Sequence, residues 1–204
     1  MRIRLRYRKL GKVRFTSHRD VARCWERALR RAELPVASTE GFSPRPKVHF
    51  GLALSTGHES LGEYLDVDLL EPEAASVDLA TLPERLTPLL PPGIDVEAVA
   101  IIDRSHTSLQ EAVTLCTWVI EVPGTSPEAL AAAADTLLSA TELPVVRERK
   151  GKKVADDLRP GILRLQVVGA TPPEAPEPGS VLEADLATQP RSVRPAELLA
   201  AFDP

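Results

Sequence analysis

The first eight residues alternate strictly between apolar and basic side chains. Apolar residues occupy the odd positions, and Arg2, Arg4, Arg6 and Arg8 occupy the even ones. A period of two is typical of a strand that buries one face. The sequence therefore predicts a half-buried strand whose outer face carries four guanidinium groups.

An amphipathic helix is predicted at residues 18–33. At about 100° per residue, Val21, Trp25 and Leu29 share one side of this helix. Pro35 ends it, because proline cannot continue a helix. The opposite side carries five arginines, which we call the arginine face: Arg19, Arg23, Arg27, Arg30 and Arg31.

Three strands and a second helical segment complete the first half of the chain. The strands are predicted at residues 47–54, 62–70 and 94–102, and the helical segment, which Pro83 and Pro88 cap or distort, at residues 78–90. This βαββαβ order is that of ferredoxin-like folds, in which both helices cover one face of an antiparallel sheet.

The second half begins a similar order. Its predicted elements are a strand at 111–122, an alanine-rich helix at 126–138, strands at 145–149 and 162–168 that we expect to pair, a strand at 181–186 and a short helix from Pro195. We therefore expect an α+β protein of two ferredoxin-like (βαββαβ-type) units with antiparallel sheets. Their bounds are residues 1–104 and, for a less regular unit, residues 105–204.

Positive charge is concentrated at the start of the chain. Residues 1–50 hold 14 of the 25 basic and 4 of the 29 acidic side chains, so a segment of charge +10 precedes a remainder of charge −14. This asymmetry is typical of a protein with a polyanion-binding end, and attraction between the two halves is the alternative.

The cysteines and the hydropathy pattern exclude other classes. Cys24 and Cys116 have neither the CxxC nor the Cys/His spacing of a zinc or iron-sulfur site, so we expect no metal site and no cofactor in this chain. The sequence has no run of about 18 apolar residues, and we expect a cytoplasmic protein without a membrane span.

The arginine face is the first candidate for ligand binding. Only Glu26 and Glu33 lie near it in the helical projection. Guanidinium groups bind phosphates and carboxylates through paired hydrogen bonds, so the ligand could be RNA or an acidic protein surface. A solvated charged face without a ligand is the alternative.

The loop at residues 41–47, which we call the Pro-bracketed loop, is the second candidate. Its two prolines restrict the backbone, and it presents Phe42, Arg45 and Lys47 together. Such a loop can stack a base and hold its phosphate. The alternative is that Phe42 fills the core and that the prolines only stiffen a connection.

The arginines of the first strand could form a platform for single-stranded RNA, because this face binds RNA in related modules. However, four acids are predicted on the same face of the neighbouring strands: Asp66, Asp68, Asp95 and Glu97. Cross-strand ion pairs would then neutralise much of the platform.

Three histidines lie in or beside the basic region. His18 at the helix start would be the general base if the protein were an enzyme, and capping or packing is its alternative role. His49 is predicted on the outer face of a strand, where it could join the RNA-binding residues, and His58 lies in a turn. Their spacing matches no known metal-ligand motif.

A second basic group surrounds a predicted hairpin turn at Gly151. Hairpin tips are often charged for solubility, so this group adds only support for the RNA hypothesis. Its members are Arg147, Arg149, Lys150, Lys152 and Lys153.

Several segments together resemble a known bacterial family. They are VRFTSHRD at residues 13–20, ERALRRA at 26–32, EGFSPRPK at 40–47 and the GHESLGEY stretch at 57–64, with looser matches at 157–160 and 194–195. The sequence resembles the radical-SAM-associated domain of unknown function, which occurs fused to B12-binding radical-SAM-like proteins or is encoded beside them. The resemblance implies a separate radical-SAM protein as partner, which would supply the cluster cysteines that this chain lacks.

These observations predict a non-catalytic binding module that presents RNA, such as tRNA or rRNA, to a radical-SAM partner. Two alternatives stay open: a protein-docking subunit that binds no nucleic acid, and a metal-independent RNA-processing endonuclease that uses His18.

Overall fold

The computed structural model describes residues 1–103, 105–149 and 151–202. The chain forms two compact units, of which the first comprises residues 1–113 and the second begins at Thr114. Each contains helices and antiparallel strands, so the protein is of the α+β class, as predicted.

The first unit is built on a four-stranded antiparallel sheet. Its strands are β1 (Arg2–Lys9), β2 (Val48–Phe50), β3 (Ser60–Asp68) and β4 (Ile94–Ile102), in the order β2-β3-β1-β4. The inner face of β1 is buried and, apart from Lys9 at its end, apolar, and the inward residues Leu65 and Val67 of β3 are fully buried beside it. The strict alternation at the start of the sequence therefore becomes the central strand of the sheet.

Helix α1 (His18–Arg31) packs its apolar side against this sheet. Trp25 is fully buried, and its ring meets that of Tyr7 edge to face with centroids 5.0 Å apart. The predicted second helical segment is divided, because its prolines open new turns: a 3₁₀ turn at Leu79–Thr81, helix α2 (Leu82–Leu86) and a 3₁₀ turn at Thr87–Leu89. The buried side chains of α1 and α2 belong to one core.

Strand β2 is shorter than predicted, because a short helix covers the place where the strand would continue. Helix α3 (Leu109–Ala112) contacts both β2 and β3, and Leu109 is buried. A Cβ atom at Gly51 would lie 3.8 Å from that of Leu109, so the two segments meet directly after Phe50. The predicted strand at residues 111–122 begins later, at Leu115, because residues 109–112 are helical.

The second unit holds a three-stranded sheet and a separate hairpin. Its elements are β5 (Leu115–Pro123), α4 (Pro127–Ser139), β6 (Pro144–Arg149), β7 (Lys152–Asp157), β8 (Ile162–Ala170), β9 (Gly179–Ala187) and α5 (Pro195–Phe202). The sheet has the order β5-β9-β8, and β6 pairs with β7. Helix α4 packs on β8 and β9.

The expected pairing of residues 145–149 with residues 162–168 is wrong. Gly151 adopts a positive φ of 74°, so the chain reverses directly after β6 and returns as β7. Strand β8 pairs with β9 instead. The KKVADD sequence of β7 has little apolar alternation and gives no strand signal.

The strands of the two units are nevertheless connected in the same way. In the first, β1 and β2 flank β3 and are joined through α1; in the second, β5 and β8 flank β9 and are joined through α4 and the β6–β7 hairpin. Both therefore contain the split βαβ arrangement. Among the described residues, the second sheet has no strand in the position that β4 takes in the first.

Candidate anion-binding site

Helix α1 is fixed at both ends by side-chain hydrogen bonds. Ser17 caps the start: its Oγ accepts from the Asp20 backbone N–H at 3.2 Å and donates to the Asp20 carboxylate at 2.7 Å. The bond from Ser17 holds the pKa of Asp20 below its usual value, and Arg23 acts in the same direction. At the other end, Arg85 Nη2 donates to the Ala32 carbonyl at 2.8 Å. The helix is a rigid support for its outer side chains.

All five side chains of the arginine face are exposed. Arg23 pairs with Asp20 at 3.1 Å, one helical turn away. None of the other four forms an ion pair with any carboxylate of the described residues. The structure thus presents a helix surface of positive charge with one acidic neighbour in contact.

Three of these arginines line an open cavity of about 370 Å³. Arg27, Arg30 and Arg31 form one side together with Cys24, and residues 88–91 form the other side. Arg27 Nη2 donates to Cys24 Sγ at 3.3 Å. No acidic side chain of residues 1–103, 105–149 or 151–202 lines this cavity, which we call the α1 cavity.

The arginines of β1 are occupied by acids on the helix-free face of the sheet. Arg2 and Arg4 each donate two hydrogen bonds to one carboxylate: Arg2 to Asp68 at 2.7 and 3.0 Å, and Arg4 to Asp66 at 2.7 and 2.9 Å. Arg6 pairs with Glu97 at 3.2 Å and Arg8 with Asp95 at 2.9 Å. The four predicted cross-strand pairs all form, so this face is largely neutral.

The Pro-bracketed loop projects from the unit as a closed turn. Ser38 and Pro46 form a bridge, and the Thr39 N–H donates to the Arg45 carbonyl at 2.8 Å. Phe42 is fully exposed, so the alternative that it fills the core is wrong. Arg45 is exposed, and Lys47 is half-buried. Gly41 has a φ of 123°, which permits the turn before the phenylalanine.

The histidines do not gather at one site. His18 is exposed at the start of α1 and meets the ring of Phe50 edge to face at 5.1 Å, with no hydrogen bond to another described side chain. His49 lies on the helix-free face, where its Nε2 is 3.4 Å from Asp68 Oδ2. The sheet therefore separates His49 from the arginine face. Among the described residues, no three His, Cys, Asp or Glu side chains are grouped to hold a metal.

The structure leaves the predicted binding residues in separate places. The arginine face and the Pro-bracketed loop belong to the same unit, but no described hydrogen bond or ring contact joins them. The second basic group lies at the β6–β7 hairpin. Lys150 lies outside the described residues, as do the side chains of Arg147, Arg149 and Lys152.

One buried and one half-buried ionisable residue were missed by sequence reasoning. Lys9 is 3% exposed, its Nζ lies 3.4 Å from the carbonyls of Arg14 and Thr16, and desolvation lowers its pKa. Burial raises the pKa of Glu63. Lys9 and Glu63 lie at inward-facing positions of β1 and β3, as the alternation of inward and outward residues along each strand predicts. That alternation could have identified both residues from the sequence.

The wall of the α1 cavity was missed as well. Pro88 to Pro91 lie about 60 positions after the arginines in the sequence, and no local pattern joins the two segments. Only the packing of α1 and α2 on one face of the sheet brings them together. No helix of the described chain is both long and apolar enough to cross a membrane.

Comparison with known protein families identifies the family of this chain. A family profile described as "Uncharacterized protein conserved in bacteria (DUF2344)" matches residues 2–195, which span both units. No curated protein sequence matches the chain.

Proposed function

The chain belongs to the DUF2344 family of conserved bacterial proteins, and we propose that it is a non-catalytic module that binds RNA, such as tRNA or rRNA. In this proposal the arginine face contacts phosphates and the Pro-bracketed loop contacts a base. The observation that carries the proposal is the arginine face itself, where five exposed guanidinium groups have, among the residues that the structure describes, one carboxylate in contact.

The charge of this surface supports a polyanionic ligand. Like charges on one helix face repel one another, and they are usually relieved by interleaved acids. Each of the four arginines of β1 forms an ion pair with an acid. On α1, by contrast, only Arg23 forms an ion pair with a carboxylate of the described residues. An RNA backbone supplies regularly spaced negative charge and forms paired hydrogen bonds with guanidinium groups.

The Pro-bracketed loop supports RNA in particular. A fully exposed phenylalanine on a closed, proline-restrained turn loses little conformational freedom when a base stacks on it. Arg45, three residues later, can pair with the adjacent phosphate. An acidic protein surface would use the arginines but would not require the exposed ring.

The resemblance to radical-SAM-associated domains supports a second part of the proposal, a partner. This chain has two cysteines, one in each unit, and a radical-SAM cluster would be held by the partner protein. The module would then deliver RNA to an enzyme that modifies it. An endonuclease role is not favoured, because no side chain in the described part of the chain hydrogen-bonds to His18 and orients its ring as a base.

The test is binding of a fluorescent tRNA pool across a salt series. We expect the logarithm of the binding constant to fall with the logarithm of salt concentration, by about 0.7–0.9 per phosphate contact. The Arg23→Gln/Arg27→Gln variant should bind at least about tenfold more weakly and with a shallower salt dependence.

A matched control removes two positive charges elsewhere. Arg6→Gln/Arg8→Gln has the same net charge, but its arginines are paired with Glu97 and Asp95 on the other face of the sheet. It should keep the parent affinity within about twofold. No binding by the parent at low salt would refute the RNA proposal and direct the test to acidic surfaces of the partner. RNA cleavage that His18→Ala abolishes would refute the non-catalytic role.

A further inference from the structure

We infer that the α1 cavity binds the terminal phosphomonoester of a nucleotide, so that the module recognises a phosphorylated RNA end rather than internal backbone alone. This inference rests on the proposed function for the source of the nucleotide. Its structural basis is the α1 cavity, which Arg27, Arg30 and Arg31 line with Cys24 opposite an apolar wall at residues 88–91.

The positive charge of the cavity favours an anion that carries more than one negative charge. Three guanidinium groups line it, no carboxylate lines it, and none of the three is ion-paired with a described residue. An internal phosphodiester carries one negative charge, whereas a phosphomonoester carries about −1.5 to −2 at neutral pH and offers three acceptor oxygens. Three arginines therefore match a terminal phosphate better than a single diester.

The opposite wall of the cavity suits the sugar and base of a nucleotide. Its accessible apolar surface comes from Pro88, Leu89 and Pro91, while Leu90 is buried, and none of the four carries a charge. A volume of about 370 Å³ lies near the lower end of small-ligand pockets, roughly 300–1,000 Å³. It can therefore hold one nucleotide rather than a long segment of chain.

The two walls are held in fixed positions. Arg85, on α2, donates to the Ala32 carbonyl at the end of α1 and so ties the two helices together. In the apolar wall, the Val96 N–H donates to Thr87 Oγ1 at 3.0 Å, and the Ile94 N–H donates to the Pro91 carbonyl at 3.0 Å. The hydrogen bond from Arg27 to Cys24 Sγ holds one guanidinium group at the rim. The backbone of both walls is therefore preformed, which lowers the ordering cost of binding.

The first experiment compares one short single-stranded RNA in three forms: with a 5′-phosphate, with a 3′-phosphate and with neither. We expect one phosphorylated form to bind about tenfold more tightly than the unphosphorylated form, because the extra charge meets three arginines. Arg30→Gln/Arg31→Gln should reduce this ratio to about one. Arg19→Gln/Arg23→Gln, outside the α1 cavity, should weaken all three forms and keep the ratio.

The second experiment uses Cys24 as a reporter in a Cys116→Ser background, where it is the only cysteine. Adenosine 5′-monophosphate and adenosine are the probes, and the readout is the rate of thiol alkylation. The nucleotide should slow alkylation at least about threefold, and the nucleoside should not. Equal effects of the two probes, or none, would count against the inference.

The results separate this inference from the proposed function. Salt-sensitive RNA binding without preference for a terminal phosphate, together with unprotected Cys24, would overturn the inference and leave the RNA-binding proposal intact. Protection of Cys24 by the mononucleotide without RNA binding would support the α1 cavity as a nucleotide site and overturn the proposed RNA source.

Discussion

The ion pair between Arg4 and Asp66 gives the sharpest test of how the first unit is stabilised. We predict that Asp66→Asn destabilises this unit by about 2–3 kcal/mol, whereas Asp95→Asn on the same sheet face costs about 0–1 kcal/mol. The two substitutions are chemically identical and each removes the partner of one β1 arginine. They differ in burial.

The magnitude follows from the geometry. The Asp66 side chain is 5% exposed and accepts two hydrogen bonds from Arg4, whose side chain is 22% exposed. Asparagine retains one acceptor and turns an amide N–H toward the second guanidinium N–H, so one charge-assisted bond of about 1.5–3 kcal/mol is lost. The charge of Arg4 is also left without its counterion. Partial exposure lets water reach Arg4, which keeps the cost below the roughly 3–5 kcal/mol of a fully buried pair.

The comparison pair is much more accessible. Arg8 and Asp95 are 46% and 34% exposed and share a single hydrogen bond of 2.9 Å. Water replaces that bond after substitution, so little free energy of unfolding is lost.

The assay uses the distribution of tryptophans. The chain has two, Trp25 in the first unit and Trp118 in the second. In a Trp118→Phe background, fluorescence during urea unfolding reports the first unit alone through the fully buried Trp25. With a slope of about 1.5 kcal/mol/M, Asp66→Asn should lower the midpoint by about 1–2 M. Equal midpoint shifts for Asp66→Asn and Asp95→Asn would refute the argument from burial.

Three further predictions test other features of the structure. Gly93→Ala should destabilise the first unit by about 2–3 kcal/mol in the same urea assay, because φ is 94° and the new Cβ would lie 2.1 Å from the Leu10 carbonyl oxygen; a neutral result would contradict the clash. Phe42→Ser should leave the midpoint of thermal unfolding unchanged and weaken RNA binding by about tenfold, since the exposed ring contributes stacking but no packing; unchanged affinity would remove the loop from the RNA site. The hydrogen bonds from Arg2 lower the pKa of Asp68 below 3.8, so the folded state binds fewer protons than the unfolded state in acid. The contribution of the Asp68 carboxylate to the free energy of unfolding is therefore complete above about pH 5 and is lost as pH falls through the folded pKa. Asp68→Asn should accordingly reduce the fall of the free energy of unfolding between about pH 5 and lower pH.

Much of the fold could be predicted because local patterns and tertiary structure agree. Strand β4 has the predicted bounds, although a bulge shifts its register against β1, and β1 and α1 differ from prediction by at most two residues at either end, since each has a regular period and clear terminal signals. The position of the acids on the helix-free face was also predictable, because they alternate along β3 and β4 with apolar residues that face the core. These features depend on neighbours in sequence or on a single pairing register.

Other features required the three-dimensional structure. The end of β2 is set by α3, more than 50 residues later in the chain. The pairing of β8 is set by β9, because an immediate turn at Gly151 already supplies β6 with a partner. The α1 cavity depends on the meeting of α1 with the segment at residues 88–91, and the sequences of the two share no motif. The arginine face was recognisable as basic, but not as one side of a cavity.

The four acid–base pairs on the helix-free face also bear on how the sheet selects its alignment during folding. Arg2 and Arg4 lie opposite Asp68 and Asp66 in register. A one-residue slip of β3 would turn the carboxylates into the core, and a two-residue slip would place Tyr64 opposite Arg4 and leave Asp68 beyond the end of β1. Apolar packing alone would tolerate the two-residue slip, because every side chain of β3 would stay on the same face of the sheet. That slip places Asp66 opposite Arg2 but leaves Arg4 without an acid on β3, so the charges favour the native alignment over it by one ion pair.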